Sequence, residues 1–272
     1  MHFMHGISEI PLPVSLVCVI VASPLISFAL VRVVRWIWPY PFLKENNEIV
    51  GFTYAVFGLI YGVVLAYTIV VAWERFSEAE RIVMREATSL SELWRDSEVF
   101  PAADRDATHR DLIDYATSVL QDEWPTMASA GEASPKTVRI YEELWGRSYQ
   151  LQPVTKSQEA FLRVLLDRLN DLGSARRLRI LYSRMQVPGV LWPVLILGSI
   201  MTIVYTLLLA NRHAWVQVTI VTFVTLIALL GILVILSLQF PFTGDVSIKP
   251  EAFQQLLYSF HLRLQTVRPP LG

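Results

Sequence analysis

Four long apolar runs decide what this chain can fold into. They extend from about Leu12 to Val34, from Ile49 to Trp73, from Val187 to Leu209 and from Ala214 to Phe240. A bilayer core of about 30 Å takes about 20 helical residues to cross, and each run is that long. Amides and carbonyls in hydrocarbon must bond within their own segment, so the runs are expected as helices. The charge content agrees, since 17% of the 272 residues are charged against about 25% in a soluble domain. Those charges collect between Trp73 and Val187 and in the two tails.

The first run lacks a basic segment ahead of it and is too long for a secretory signal, so it reads as a retained span. Trp36, Trp38, Tyr40, Trp73, Trp192 and Trp215 stand near span ends, where amphipathic rings favour the headgroup level. Only Asn211-Arg212-His213 separates the last two runs, which makes them an antiparallel hairpin. Four spans place both termini and the long insert on one side. Arg75, Arg81, Arg85, Arg176, Arg177, Arg179, Arg184 and Lys249 fall on that side, and Arg32, Arg35, Lys44 and Arg212 on the other. Positive charge near span ends favours the cytoplasm, so the insert is expected there.

The insert carries apolar stripes at helical spacing. Ala79, Ile82, Val83, Leu90, Leu93 and Trp94 continue the second span. Leu112, Tyr115, Ala116, Val119, Leu120 and Trp124 form a stripe that Pro125 is expected to stop. Val138, Tyr141, Leu144, Trp145 and Tyr149 form another, opened by Ser134-Pro135 in N-cap and first-turn positions. Phe161, Leu162, Leu165, Leu166, Leu169 and Leu172 form the last. Each stripe opposes a polar face, so the helices are expected to pack as a bundle. The fold class that follows is an all-α integral membrane protein of four transmembrane helices, with a cytoplasmic helical bundle between the second and third. Its divisions are 1–73 for the first two spans, 74–186 for the helical domain, 187–240 for the other spans and 241–272 for a tail. The tail ends in an amphipathic helix with Leu256, Leu257, Phe260 and Leu264 on one face.

Several function classes find no support. A net charge of -1 gives no electrostatic footprint for nucleic acid. The lone Cys18 lies in an apolar run, and His2, His5, His109, His213 and His261 show no metal-ligand spacing, so neither metal nor cofactor is expected. Asp122 and Glu123 are adjacent on a helix and point different ways, which does not make an acid–base pair. No phosphate loop or nucleophile elbow occurs, and no enzyme is expected.

Three groups of residues stand out as site candidates. Gly51, Ala55, Gly58, Gly62 and Ala66 recur every three or four residues along the second span. Small residues let backbones approach in a bilayer, where apolar burial supplies no drive. The face then packs within the chain, or it meets other subunits or surrounds a pore. In the last case Phe52, Tyr54, Phe57, Tyr61 and Tyr67 supply rings to narrow a passage, because apolar constrictions gate by dewetting. Glu74, Arg75 and Glu78 follow the span as interfacial ion pairs or as a charged vestibule. Thr243-Gly244-Asp245 after the fourth span is turn chemistry that fixes the tail, or a carboxylate near the membrane that takes part in ion binding.

The layout of two spans, a helical insert and two more spans resembles bestrophin-type channels. From about Val50 onward the chain more closely resembles the bacterial DUF4239 family of bestrophin-like membrane proteins. The resemblance is carried by Phe52-Thr53-Tyr54-Ala55-Val56-Phe57-Gly58, by Ala72-Trp73-Glu74-Arg75-Phe76-Ser77-Glu78-Ala79-Glu80, by Asp122-Glu123-Trp124-Pro125 and by Pro241-Phe242-Thr243-Gly244-Asp245. True bestrophins have an aromatic residue on each side of the arginine after the second span. Here Trp precedes Glu-Arg, and one aromatic follows it. The resemblance implies a homo-oligomer, a pentamer or tetramer, in the bacterial inner membrane, passing inorganic ions along a pore of second spans. The rival expectation is a non-conducting scaffold or sensor whose helical domain binds a protein partner. A third, a pump stator, lacks support because spans two to four hold no internal acid.

Overall fold

The computed structural model describes residues 10–267, and His2 and His5 lie outside them. Among the described residues every regular element is helical. In chain order these are α1 (Leu12–Ile37), α2 (Tyr40–Glu45), α3 (Asn47–Ser97), α4 (Ala102–Ser118), a π-helical turn (Val119–Glu123), α5 (Trp124–Ala130) and α6 (Pro135–Gln150). They are followed by α7 (Lys156–Arg184), α8 (Leu191–Leu208), α9 (Ala214–Leu238) and α10 (Glu251–Val267). Four of them, α1, α3, α8 and α9, are long and apolar enough to cross a membrane.

The starts and stops follow local chemistry. Proline occupies the first turn of α1, α2, α5 and α6, where its missing N–H costs no intrahelical bond. At α7 Thr155 accepts from the Gln158 amide, and the Gln158 side chain accepts from the Thr155 amide, a reciprocal capping box. One expectation is corrected. Pro125 does not stop the helix that begins at Ala102; a π-helical turn at Val119–Glu123 carries the chain on into α5. That turn re-phases the helix so that Pro125 falls in a first turn, where it is tolerated. The stop comes at Gly131, whose φ of 65° suits the left-handed cap.

The chain divides into two compact units. The first takes residues up to Phe76, Gln186–Phe240 and Gly244–Val246. The second takes Ser77–Met185, Pro241–Thr243 and the residues from Ser247 on.

In the first unit α9 packs against α1 and α8. Tyr61, Leu65, Ala72, Val187, Leu195, Ile235 and Leu238 form its larger apolar cluster, and Val31, Leu207 and Val221 a smaller one. Polar side chains tie the helix ends together. Asn47 exchanges two hydrogen bonds with the backbone of Ala210, each 2.9 Å. Arg35 donates to Gln217 at 2.8 Å, and Gln217 donates to the Leu207 carbonyl at 2.7 Å. Gln217 is buried and is thereby satisfied.

The second unit packs α4 against α6 and α10. Leu112, Tyr115, Ala116 and Val119 are fully enclosed, as are Leu165, Leu169 and Leu172 of α7. Trp94 stacks on His109 on one side, with centroids 3.6 Å apart, and on Phe260 of α10 at 4.3 Å. Trp124 meets Phe242 and Phe253 edge-on. Gly173 has Tyr141 lying directly against it, so no side chain fits there.

Candidate functional site

The membrane half of α3 has two faces. On the inner face Tyr61 is buried, shares a 2.5 Å hydrogen bond with Ser199 of α8, and lies against Gly198. Leu65 lies in the same way against Gly231 of α9. Thr68 is buried and returns its hydroxyl to the Val64 carbonyl. Phe57 is half-buried, its ring 5.8 Å from that of Tyr205. On the outer face Phe52, Ala55, Gly62 and Ala66 are exposed, together with Leu59, Val63, Tyr67 and Val70.

The small and aromatic residues singled out in the sequence therefore do not act as one surface. Phe52, Ala55, Gly62 and Ala66 share the open face, whereas Phe57 and Tyr61 turn into the chain's own bundle, where α8 supplies their partners. A β-carbon added at Gly51 would stand 3.7 Å from a Leu209 methyl, and one added at Gly58 would meet the ring of Tyr54 one turn earlier. A β-carbon added at Gly62 would enter open space. The glycines that permit close approach inside the bundle are Gly198 and Gly231 instead.

The charged residues after the span are also divided. Glu74 is exposed. Arg75 is half-buried and donates to the Gln186 carbonyl at 2.6 Å, which fastens the exit of α3 to the segment leading into α8. In the second unit Glu78 pairs with Arg81 at 3.1 Å, an exposed i,i+3 pair of little energetic weight.

The Thr243-Gly244-Asp245 turn has a defined structural task. Gly244 adopts a φ of 82°, which a β-carbon disfavours. Asp245 then accepts the Leu12 amide at 2.8 Å, capping α1 from a position 233 residues away. The local N-cap, Pro11, has no side chain able to do this. Thr243, for its part, donates to the Ala128 carbonyl at 2.9 Å within the second unit.

Sequence reasoning missed the most concentrated electrostatic feature, a buried ion cluster in the second unit. Arg179 donates to Glu86 at 2.6 Å and to Glu123 at 2.7 Å, and all three are fully enclosed. Arg176 donates to Glu123 at 2.5 Å, Tyr115 to Glu86 at 2.7 Å, and the Ser134 amide to Glu123 at 3.1 Å. Two carboxylates and two guanidiniums balance, with every carboxylate oxygen engaged. Burial draws the Arg179 pKa down, but the Glu86 and Glu123 carboxylates outweigh it and hold it above the ordinary value. Burial, with Glu86 alongside, pushes Tyr115 well above the usual phenol range. The π-helical turn explains why adjacent acids part company: Glu123 faces inward, while Asp122 pairs with Lys136 at 2.8 Å. Lys136 and then Ser118 hold Asp122 below the usual carboxylate range. Among the described residues no group of three or more histidines, cysteines or acids is arranged to hold a metal.

Four helices fit to cross a bilayer, joined in one chain to a helical unit built on a neutral ion cluster, define an all-helical membrane protein. The chain belongs to the bestrophin-like domain family, whose model matches residues 21–253. Solved structures share the fold at low identity. A bacterial bestrophin homologue from Klebsiella pneumoniae, as a tryptophan-to-alanine variant, gives a TM-score of 0.70 at 15% identity, covering 91% of this chain and 97% of that one. The same organism's homologue solved by zinc phasing gives 0.66 at 17% identity, covering 92% and 100%. A structure described as a membrane protein, in a proline-to-alanine variant, gives 0.67 at 16% identity, covering 90% and 98%. No curated protein sequence matches the chain.

Proposed function

We propose that the chain is one subunit of a homo-oligomeric ion channel, with the open face of α3 turned towards neighbouring subunits and a central pore. The observation that carries this reading is Gly62. A small-residue row that served packing within the chain would have its gaps filled, as Gly198 and Gly231 are by Tyr61 and Leu65. Gly62 is open, and Phe52, Ala55 and Ala66 share its exposed face. Lateral association needs such small residues, since lipid tails are as apolar as leucine. Membership of the bestrophin-like domain family and the fold shared with the Klebsiella homologue support the same reading.

In this reading the helices α1, α3, α8 and α9 span the inner membrane, residues 74–186 form a cytoplasmic helical domain, and both termini are cytoplasmic. Phe52, Ala55, Gly62 and Ala66 face the oligomer axis, and Glu74 and Glu78 stand at the cytoplasmic mouth. The motifs around Phe52–Gly58 and Pro241–Asp245 support assigning the chain, within its family, to the DUF4239 group. No catalysis is assigned to it.

Reconstitution in liposomes tests the proposal. The wild-type protein is expected to run as one oligomer by native mass spectrometry and to carry ion current in planar recordings. Gly62→Leu is expected to disperse the oligomer or abolish the current while leaving the helical content intact. Intact oligomers without current across ions and pH would refute the channel. An unchanged oligomer with unchanged current in Gly62→Leu would remove α3 from the interface.

A further inference from the structure

A second site lies far in character from the apolar face of α3. In the second unit α4 and α10 enclose a cleft of about 740 Å³, lined by Arg105, Asp106, His109, Arg110, Ile113, Leu264 and Gln265. That volume is of the size that holds small molecules. Its walls are of two kinds. On α4, Arg105, His109 and Ile113 form one i,i+4 row and Asp106 and Arg110 the row beside it, while Leu264 supplies apolar surface from α10.

The charges in the cleft are unevenly committed. Arg105 is paired with Asp106 at 2.9 Å and has Glu98 at 4.0 Å. The His109 ring is pinned between Trp94, on which it stacks, and the Glu98 carboxylate 3.8 Å from its Nε2. Burial holds this imidazole below its ordinary range, so it is neutral at physiological pH. Arg110 is different. It is exposed at the cleft, and its guanidinium has no hydrogen bond or ion pair among the described residues. Arg147, Arg168, Arg176 and Arg179 of the same unit each have a carboxylate within 3.2 Å.

We propose that this cleft binds a small organic anion, its oxyanion held by Arg110 and its apolar body resting on Ile113 and Leu264. The planar guanidinium offers paired donors to a carboxylate or a phosphate monoester. Gln265 adds an amide donor at the opposite wall. Asp106 lines the same space and offsets the Arg105 charge, so charge alone holds an anion weakly and contact with Ile113 and Leu264 must supply the rest. The site therefore distinguishes an amphipathic anion from a bare inorganic one.

Calorimetric titration of the full chain in detergent decides the matter, with phenyl phosphate, benzoate, inorganic phosphate and benzyl alcohol as probes. Phenyl phosphate or benzoate is expected to bind at least about tenfold more tightly than inorganic phosphate, from burial of the ring. Whichever of the two binds tighter identifies the head group. Benzyl alcohol reports partition into detergent alone and is expected to show no saturable heat. Arg110→Gln is expected to weaken the bound anion about tenfold or more, the worth of a charge-assisted hydrogen bond. Leu264→Glu, at an exposed position, is expected to abolish binding by placing a carboxylate in the cleft. No saturable heat with either aromatic anion would overturn the proposal. Binding unchanged in both variants, with the protein still folded, would overturn it equally. Channel activity enters none of these readouts.

Discussion

Gly198 on α8 lies flush against the ring of Tyr61 on α3: a β-carbon at position 198 would stand 2.8 Å from Tyr61 Cε2. The same ring ends in a hydroxyl bonded to Ser199, the next residue along α8. Shape and hydrogen bond together fix how these two helices meet, and the two parts are separable. Gly198→Ala is expected to destabilise the protein by about 1–3 kcal/mol, the usual cost of overpacking. Tyr61→Phe keeps the ring and is expected to cost about 1 kcal/mol for the lost hydrogen bond. Thermal unfolding in detergent measures both, and a Gly198→Ala protein as stable as wild type would show that the ring has room to yield.

The ion cluster sets a harsher test. Glu123 carries bonds from Arg176, Arg179 and the Ser134 amide, and it is fully buried. Glu123→Ala leaves two guanidiniums facing one carboxylate, Glu86, without water to help. The expected loss is about 3–5 kcal/mol, the range for breaking a buried pair by removing one partner. Glu86→Ala is expected to cost a similar amount and to release the Tyr115 hydroxyl from its acceptor. In contrast, Asp122→Ala removes a partly exposed pair with Lys136 and a hydrogen bond from Ser118, and is expected to cost far less than Glu123→Ala. Chemical unfolding of the three variants ranks them, and near-equal losses at Asp122 and Glu123 would contradict the asymmetry of the π-helical turn.

The cluster also shows where sequence reasoning reaches its limit. Helical periodicity made the stripes of the insert readable: Leu112, Tyr115, Ala116 and Val119 are all enclosed, as are Leu165, Leu169 and Leu172. Periodicity reads only apolar residues, however. Arg176 and Arg179 counted in the sequence as charges near a span, yet the fold spends both on buried acids from α3 and the π-helical turn. A π-helical turn has no apolar signature, so nothing in Asp122-Glu123 told which acid would face inward. Stripe ends misread as well, since Tyr149 and Leu264 sit at expected apolar positions and are exposed. On α3 the spacing separated Tyr61 from the small-residue row but gave no way to tell which of the two faces would be buried. That division depends on where α8 and α9 lie, which is a long-range fact.

His109 is expected to make stability depend on acidity. Its buried ring, stacked on Trp94, titrates below the ordinary histidine range, chiefly through burial, against which the Trp94 carbonyl and Glu98 act. The folded state therefore binds fewer protons than the unfolded state once pH drops below the ordinary histidine value of about 6.5. Stability falls from there as pH is lowered through the depressed folded value, then levels off. Asp122 acts in a lower window, because its depressed pKa contributes stability above the ordinary carboxylate range that is lost on stronger acidification. His109→Phe keeps a ring against Trp94 and is expected to flatten the upper window alone. Unfolding midpoints between pH 7 and 4.5 measure this, and a slope unchanged by His109→Phe would assign it to other groups.

The contact between Asp245 and the Leu12 amide makes a prediction at single-bond resolution. Val14 and Ser15 both donate to the Pro11 carbonyl, so the first turn of α1 does not need Asp245 to close. Among the described residues, the Leu12 amide donates to that carboxylate alone. A helix N-terminus also favours negative charge, which adds to the hydrogen bond. Asp245→Ala is thus expected to cost about 0.5–2 kcal/mol, the range for a lost N-cap. Asp245→Asn retains a carbonyl acceptor and is expected to lose only the part owed to charge. Amide exchange is the discriminating measurement: Leu12 should exchange at least about tenfold faster in Asp245→Ala, from a loss near 1.4 kcal/mol, while Val14 and Ser15 change little. Equal acceleration at all of these amides would mean that the turn holds the whole of α1 in place, and that capping is the lesser part of what Asp245 does.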